Sequence, residues 1–163
     1  MTSSGRFSTS SAWNQIRLPK PEVLWHKLVW FPGLIPKAAF ILWLAVRQRL
    51  GTQDRLWAPT PTGCLFCSHQ LETHEHLFFE CPATYQFWSS VIVKCSNPHH
   101  LLKWADYIPW LADQWNDKSL GTRISRLCLA ATVYTIWRER NARFHDNSVR
   151  TTSSIVTAIV YGS

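Results

Sequence analysis

Cys64-Leu-Phe-Cys67-Ser-His69-Gln-Leu-Glu72-Thr-His74-Glu75-His76-Leu-Phe78-Phe79-Glu80-Cys81 gathers three of the chain's five cysteines into one short run. The spacing Cys64-x2-Cys67-x8-His76-x4-Cys81 is that of a zinc knuckle: two thiolates two residues apart reach one ion from a tight turn, and a His four residues before a Cys supplies the other pair. His69 follows Cys67 too closely to compete, and His74 stands too far from Cys81, so His76 is the fourth ligand. Four protein ligands close the tetrahedron around one Zn2+ and leave no position for water, which marks the site as structural.

Working outward, helical signals dominate and β signals are sparse. Pro36 opens a helix through Lys37–Val46 that is apolar almost all round and hence central, with Gly51 as its stop and Thr52 capping a short segment from Gln53 to Trp57. Pro82 opens another through Tyr85, Trp88, Val91 and Ile92, ending before Asn97-Pro98. A stretch from Trp104 to Trp115 is interrupted by Pro109. The last element runs from Thr122 to Phe144 with Ile124, Leu127, Cys128, Ala131, Tyr134 and Trp137 on one face. The fold expected is mainly α: one helical domain over 21–145 with an inserted CCHC knuckle loop at 63–82 and little or no β-sheet. It is preceded by an arm over 1–20, with Ser10 and Ser11 starting a short helix, and followed by a polar tail over 146–163.

Length 163, 46% hydrophobic residues and ten tryptophans suit one folded unit with a core built on large rings. An odd cysteine count with a cluster fits a metal site in a reducing compartment better than a disulfide framework, and Cys95 and Cys128 read as small buried hydrophobes. The N-terminus lacks the apolar run of a secretory signal, although its Ser, Thr and Arg content ahead of Glu22 also fits a transit peptide. The longest apolar run, Ala38 to Val46, falls far short of the about 20 residues of a bilayer span. An intracellular protein, nuclear or cytoplasmic and away from membranes, is expected.

Lys and Arg outnumber Asp and Glu by 17 to 10, for a formal charge of +7. The excess leans toward a polyanion, RNA or DNA. Arg47, Arg49, Arg138, Arg140 and Arg143 are the candidate phosphate contacts. The knuckle is an unpromising grip, because it holds Glu72, Glu75 and Glu80 and neither Lys nor Arg. Phe66, Phe78 and Phe79 read as its miniature core.

The run Glu72–Cys81 behind Cys64-x2-Cys67 resembles the zinc-binding domain that follows the polymerase in plant non-LTR, LINE-type reverse transcriptases. So do the run Trp25-His-Lys-Leu-Val-Trp-Phe-Pro-Gly-Leu-Ile-Pro-Lys-Ala-Ala-Phe-Ile-Leu-Trp43, the pieces Arg49-Leu50 and Thr52-Gln-Asp-Arg-Leu56, and Trp137-Arg-Glu-Arg-Asn141. Together these span about Arg6 to His145. The resemblance implies ligands at Cys64, Cys67, His76 and Cys81, a retroelement origin and a role in holding RNA or target DNA. The chain shows no Asp-Asp pair, P-loop or carboxylate cluster suited to polymerase or nuclease chemistry, so an accessory, non-catalytic module is expected. The alternative is a structural or protein-interaction module, or an inactive remnant, that docks on a polymerase domain through its Trp-rich helices.

Overall fold

The first half of the chain folds into short helices joined by tight turns, and the second into longer helices that close over them. The structure, a computed structural model, describes residues 8–18, 21–56, 63–94 and 103–161. Among the described residues there is no strand, only an isolated bridge between Gly63 and Leu71, so the mainly helical expectation holds. No helix among them is long and apolar enough to cross a membrane.

Helix α1 (Thr9–Ile16) is capped by Ser8, whose Oγ accepts the Ser11 N–H at 3.3 Å. The start therefore lies ahead of Ser10 and Ser11, because a serine cap must sit three residues before the N–H it satisfies. A one-turn helix, α2 (His26–Val29), was not evident in the sequence; four residues are too few to show a period, yet they bury Leu28 and Val29 completely. Gly33, at φ +91, makes the turn into α3 (Pro36–Val46), where Pro36 occupies the first turn as expected. This helix buries Ala38, Ala39, Leu42 and Ala45. Its exit turns on Gln48 at φ 50, not on Gly51. The segment after it is a single 3-10 turn, Gln53–Arg55, without a side-chain cap from Thr52. The expected ends at Trp57 and at Asn97-Pro98 lie outside the described residues.

Helix α4 (Pro82–Lys94) begins at Pro82 as read from the sequence. Helix α5 (Trp104–Gln114) runs through Pro109 without interruption. The proline removes one backbone hydrogen bond, but Tyr107, Ile108 and Leu111 on either side are buried, and tertiary packing of that face outweighs the loss. Helix α6 (Leu120–Asp146) is the longest element; Ser119 Oγ caps it on the Thr122 N–H at 3.1 Å, and Asn147 ends it in the left-handed region at φ 49.

Two expectations about the second half are corrected. The face of α6 that enters the core is Ser125, Leu129, Ala130, Val133, Ile136 and Arg140, whereas Ile124 and Leu127 are exposed and Cys128, Ala131, Tyr134 and Trp137 are half-buried. The segment read as a polar tail forms α7 (Thr152–Tyr161), which buries Ile155 and Ile159 against α4 and α6. Burying such a side chain contributes about 1.5–3 kcal/mol, enough to fold back a segment whose first turn is all Thr and Ser. The resulting core draws on every helix from α2 to α7, with Leu28, Leu42, Phe87, Trp104, Leu129 and Ile155 at its centre.

Candidate metal centre

Gly63 and the left-handed Ser68, at φ 60, allow the chain to double back within a few residues. A Cβ on Gly63 would lie 2.9 Å from the Ser68 carbonyl oxygen, so only glycine fits there. The Cys64 N–H donates to the Gln70 carbonyl at 2.6 Å and the Ser68 N–H to the Cys64 carbonyl at 2.7 Å, fixing the turn that carries Cys64 and Cys67. The opposite pair comes from a π-helical turn, His76–Glu80, closed by the Cys81 N–H on the His76 carbonyl at 2.8 Å. The extra residue in that turn sets His76 and Cys81 at its two ends facing the same way. Thr73 Oγ1 accepts the His76 N–H at 3.0 Å, and Thr84 Oγ1 donates to the Leu77 carbonyl at 2.8 Å.

One donor atom from each of Cys64, Cys67, His76 and Cys81 lies within 4.8 Å of all the others. Cys64 Sγ is 3.9 Å from Cys81 Sγ, and Cys67 Sγ is 3.3 Å from His76 Nε2. Zinc–sulfur bonds of about 2.3 Å on a regular tetrahedron separate two sulfurs by about 3.8 Å, and a sulfur from a nitrogen by about 3.6 Å. The cluster is therefore suited to one zinc ion. The Cys64 S–H donates to Cys81 Sγ, and this bond, aided by the backbone N–H groups of Thr84 and Ala83, pulls the Cys81 thiol well below its usual range against the effect of burial. The same bond and burial push Cys64 up. Two buried sulfurs 3.9 Å apart suit a divalent cation, which stabilises both thiolates at once.

His69 and His74 stand outside the cluster, as the spacing argument required. His69 is exposed, its Nδ1 against the Cys67 carbonyl. His74 is buried between Phe78 and Trp104, with ring centroids 4.9 and 5.0 Å away. Phe78 is fully buried, Phe79 stacks on Trp88 at 5.7 Å, and Phe66 packs edge-on against Phe87 at 6.0 Å, so these rings are core. Cys128 is half-buried on the outer wall of α6, not sealed in the core, and Cys95 lies outside the described residues.

The acidity of the knuckle is largely spent inward. Glu72, fully buried, takes Arg140 Nε at 2.9 Å and the Gln53 N–H at 3.2 Å. Glu75 accepts the Trp104 N–H at 2.7 Å, docking the start of α5 on the loop. Arg143 donates to the Leu65 carbonyl at 3.1 Å and to Glu139 at 3.0 Å, with its guanidinium 4.3 Å from the Phe66 ring centroid. The end of α6 thus clamps the knuckle, a role unseen in the sequence, where charge alone does not reveal a partner 68 residues away. Of the five candidate phosphate contacts, Arg47, Arg49 and Arg138 are exposed. Arg143 is partly buried in this clamp, and Arg140 at 2% exposure is corrected to a structural residue with no surface for phosphate.

Comparison with known families places this geometry. The family described as zinc-binding in reverse transcriptase matches residues 7–88, half of the chain and the whole knuckle. The chain belongs to this family. Within the reverse-transcriptase zinc-binding region so defined lie α1 to α3, the knuckle and the first part of α4, while α5 to α7 complete the core from outside it. No curated protein and no solved structure matches the chain.

Proposed function

We propose that this chain is a non-catalytic, zinc-stapled module of non-LTR reverse-transcriptase ancestry, of the plant type its sequence resembles, that binds RNA or DNA inside the cell. The observation that carries the reading is where the charges go. The internal network of Glu72 and Glu139 with Arg140, Arg143 and Arg150 absorbs three cations and two carboxylates, a single net charge. The network thus withdraws a single charge, and the rest of the chain keeps six of the seven formal positive charges, a surplus that attracts phosphate. Zinc, held by Cys64, Cys67, His76 and Cys81, supplies a cross-link and no open coordination position. Reduced thiols and an imidazole gathered in one site suit a reducing compartment. The test is a salt titration of oligonucleotide binding by the zinc-loaded protein. A linear fall of log affinity with log salt supports the reading, and negligible binding at low salt overturns it.

One observation favours a second reading, docking on a polymerase domain. Between the start of α3 and the outer faces of α6 and α7 runs an open, mostly apolar groove of about 460 Å3, walled by Ile35, Ala38, Ile124, Leu127, Ala131 and Ile159. Ile35 is 68% and Ile124 45% exposed. Under this reading the isolated protein self-associates, and Ile124→Lys with Leu127→Lys abolishes the association.

A further inference from the structure

A second cleft, of about 410 Å3, opens where α2, the loop before α6 and the first turns of α6 meet. Its walls carry Lys27, Lys118, Arg123 and Arg126 beside Trp30 and Phe31, with Asp117 the one carboxylate among the lining residues. Asp117 is already engaged, accepting the Ser119 N–H at 3.3 Å and the Ser119 hydroxyl at 3.0 Å. Lys27 Nζ donates to Asn116 Oδ1 at 2.7 Å, and Lys118 and Arg123 are exposed. At the back stands Arg126, only 7% exposed, with its Nη2 donating to the Trp115 carbonyl and its guanidinium 5.9 Å from the Phe31 ring centroid. Its Nε is buried and has no partner among the described residues. A buried, unspent guanidinium donor behind three further cations is costly to maintain unless an anion completes it. Burial lowers the affinity of Arg126 for its own proton, and the charge of Asp117 offsets this only in part.

We propose that this cleft is a phosphate-and-base subsite for single-stranded nucleic acid: the backbone phosphate sits among Arg126, Arg123 and Lys118, and a base stacks on Trp30. The assignment rests on the nucleic-acid reading above and gives it a location, away from the knuckle and away from Arg140 and Arg143. The indole decides between anions. Trp30 is 52% exposed on the cleft wall, an apolar face that an acidic peptide leaves unused and an unstacked base covers. A duplex keeps its bases stacked and out of reach, so the strand is single.

The experiment uses the full zinc-loaded chain and a fluorescein-labelled oligouridylate, followed by anisotropy over a salt series. The variants are Trp30→Ala, the double change Lys118→Ala with Arg123→Ala, and a charge-matched control, Arg47→Ala with Arg49→Ala; all alter exposed side chains, and melting curves verify their folding. Trp30→Ala is expected to weaken binding roughly tenfold with the salt slope unchanged. The cleft double variant is expected to reduce the slope by about 0.7, the value for one single-strand phosphate no longer neutralised, and the control to leave the slope closer to that of the wild type. If the wild type binds and both cleft variants bind equally well, the location is wrong and the nucleic-acid reading survives. Equal losses in the control mean diffuse charge attraction and overturn the subsite. If oligoglutamate displaces the probe charge for charge and Trp30→Ala has no effect, the cleft takes an acidic peptide. Absence of wild-type binding at low salt defeats the nucleic-acid reading and the subsite with it.

Discussion

Arg140→Leu removes one half of a buried ion pair and leaves the other half stranded. Glu72 is 0% and Arg140 3% exposed at the side chain, the Nε–Oε1 distance is 2.9 Å, and the guanidinium lies 4.7 Å from the Phe144 ring centroid and 5.2 Å from that of Trp137. Removing one member of such a pair costs about 3–5 kcal/mol, because the remaining charge cannot reach water. Against a total stability of about 5–15 kcal/mol this brings the domain close to unfolding, and at about 2–4 °C per kcal/mol for a chain of this size the melting temperature falls by roughly 6–20 °C. Glu72→Leu should cost a similar amount. The double variant, Glu72→Leu with Arg140→Leu, restores neutrality and should cost less than either single change, giving a coupling energy of about 3 kcal/mol or more in a double-mutant cycle. Urea unfolding in a zinc buffer measures the cycle. Chelator competition on the same proteins measures zinc affinity, which should fall in the single variants because Glu72 lies between the two ligand pairs. Additive single costs, or single costs below about 1 kcal/mol, would show a solvated pair; Arg140 would then return to the residues free to meet phosphate.

Chelation or Cys67→Ser should unfold the knuckle and loosen the starts of α4 and α5 docked on it, since structural zinc binding is coupled to folding; an unchanged melting curve and far-ultraviolet circular dichroism would refute this. Ile155→Ala should cost about 2–5 kcal/mol in urea unfolding, as expected for a large-to-small change at a fully buried site, and a cost near zero would mean that α7 does not pack on α4 and α6. Burial, with the nearby Arg55 charge, pulls His74 down from 6.5 to about 4. The unfolded chain therefore takes up this proton first, so the contribution is complete above pH 6.5 and is lost as the pH falls toward 4, by about 3 kcal/mol in all. Relative to His74→Leu, the wild type should lose that much stability over this range; taking the difference between the two proteins cancels proton competition at the zinc ligands, and a pH-independent difference would refute the assignment.

The knuckle was legible in the sequence because its information is local: four ligand types at four spacings, with His69 and His74 eliminated by chain length alone. Helix α3 was legible for the same reason, through Pro36 and an unbroken apolar run. The extent of α6 could be read but its orientation could not. Its most apolar stripe, through Ile124, Leu127 and Cys128, lines an open groove, while its buried stripe contains Ser125, Arg126, Glu139 and Arg140. Polar residues become buried when partners satisfy them, and those partners are Glu72, Trp115 and Arg150, brought together only by the fold. Helix α7 was hidden by Thr152, Ser153 and Ser154, which mask two isoleucines one turn apart. The same principle separates the arginines by function. In the sequence, Arg126 and Arg140 are equivalent cations on one basic helix. In the fold, Arg140 is neutralised by Glu72, whereas Arg126 lines a cleft with three other cations and a single carboxylate, Asp117, and its Nε has no partner among the described residues. Net charge therefore predicts the sign of a partner, and the location of the carboxylates decides which cations remain to meet it; on that ground the search for a phosphate contact moves from Arg140 and Arg143 beside the zinc knuckle to Arg123 and Arg126 at the opposite end of α6.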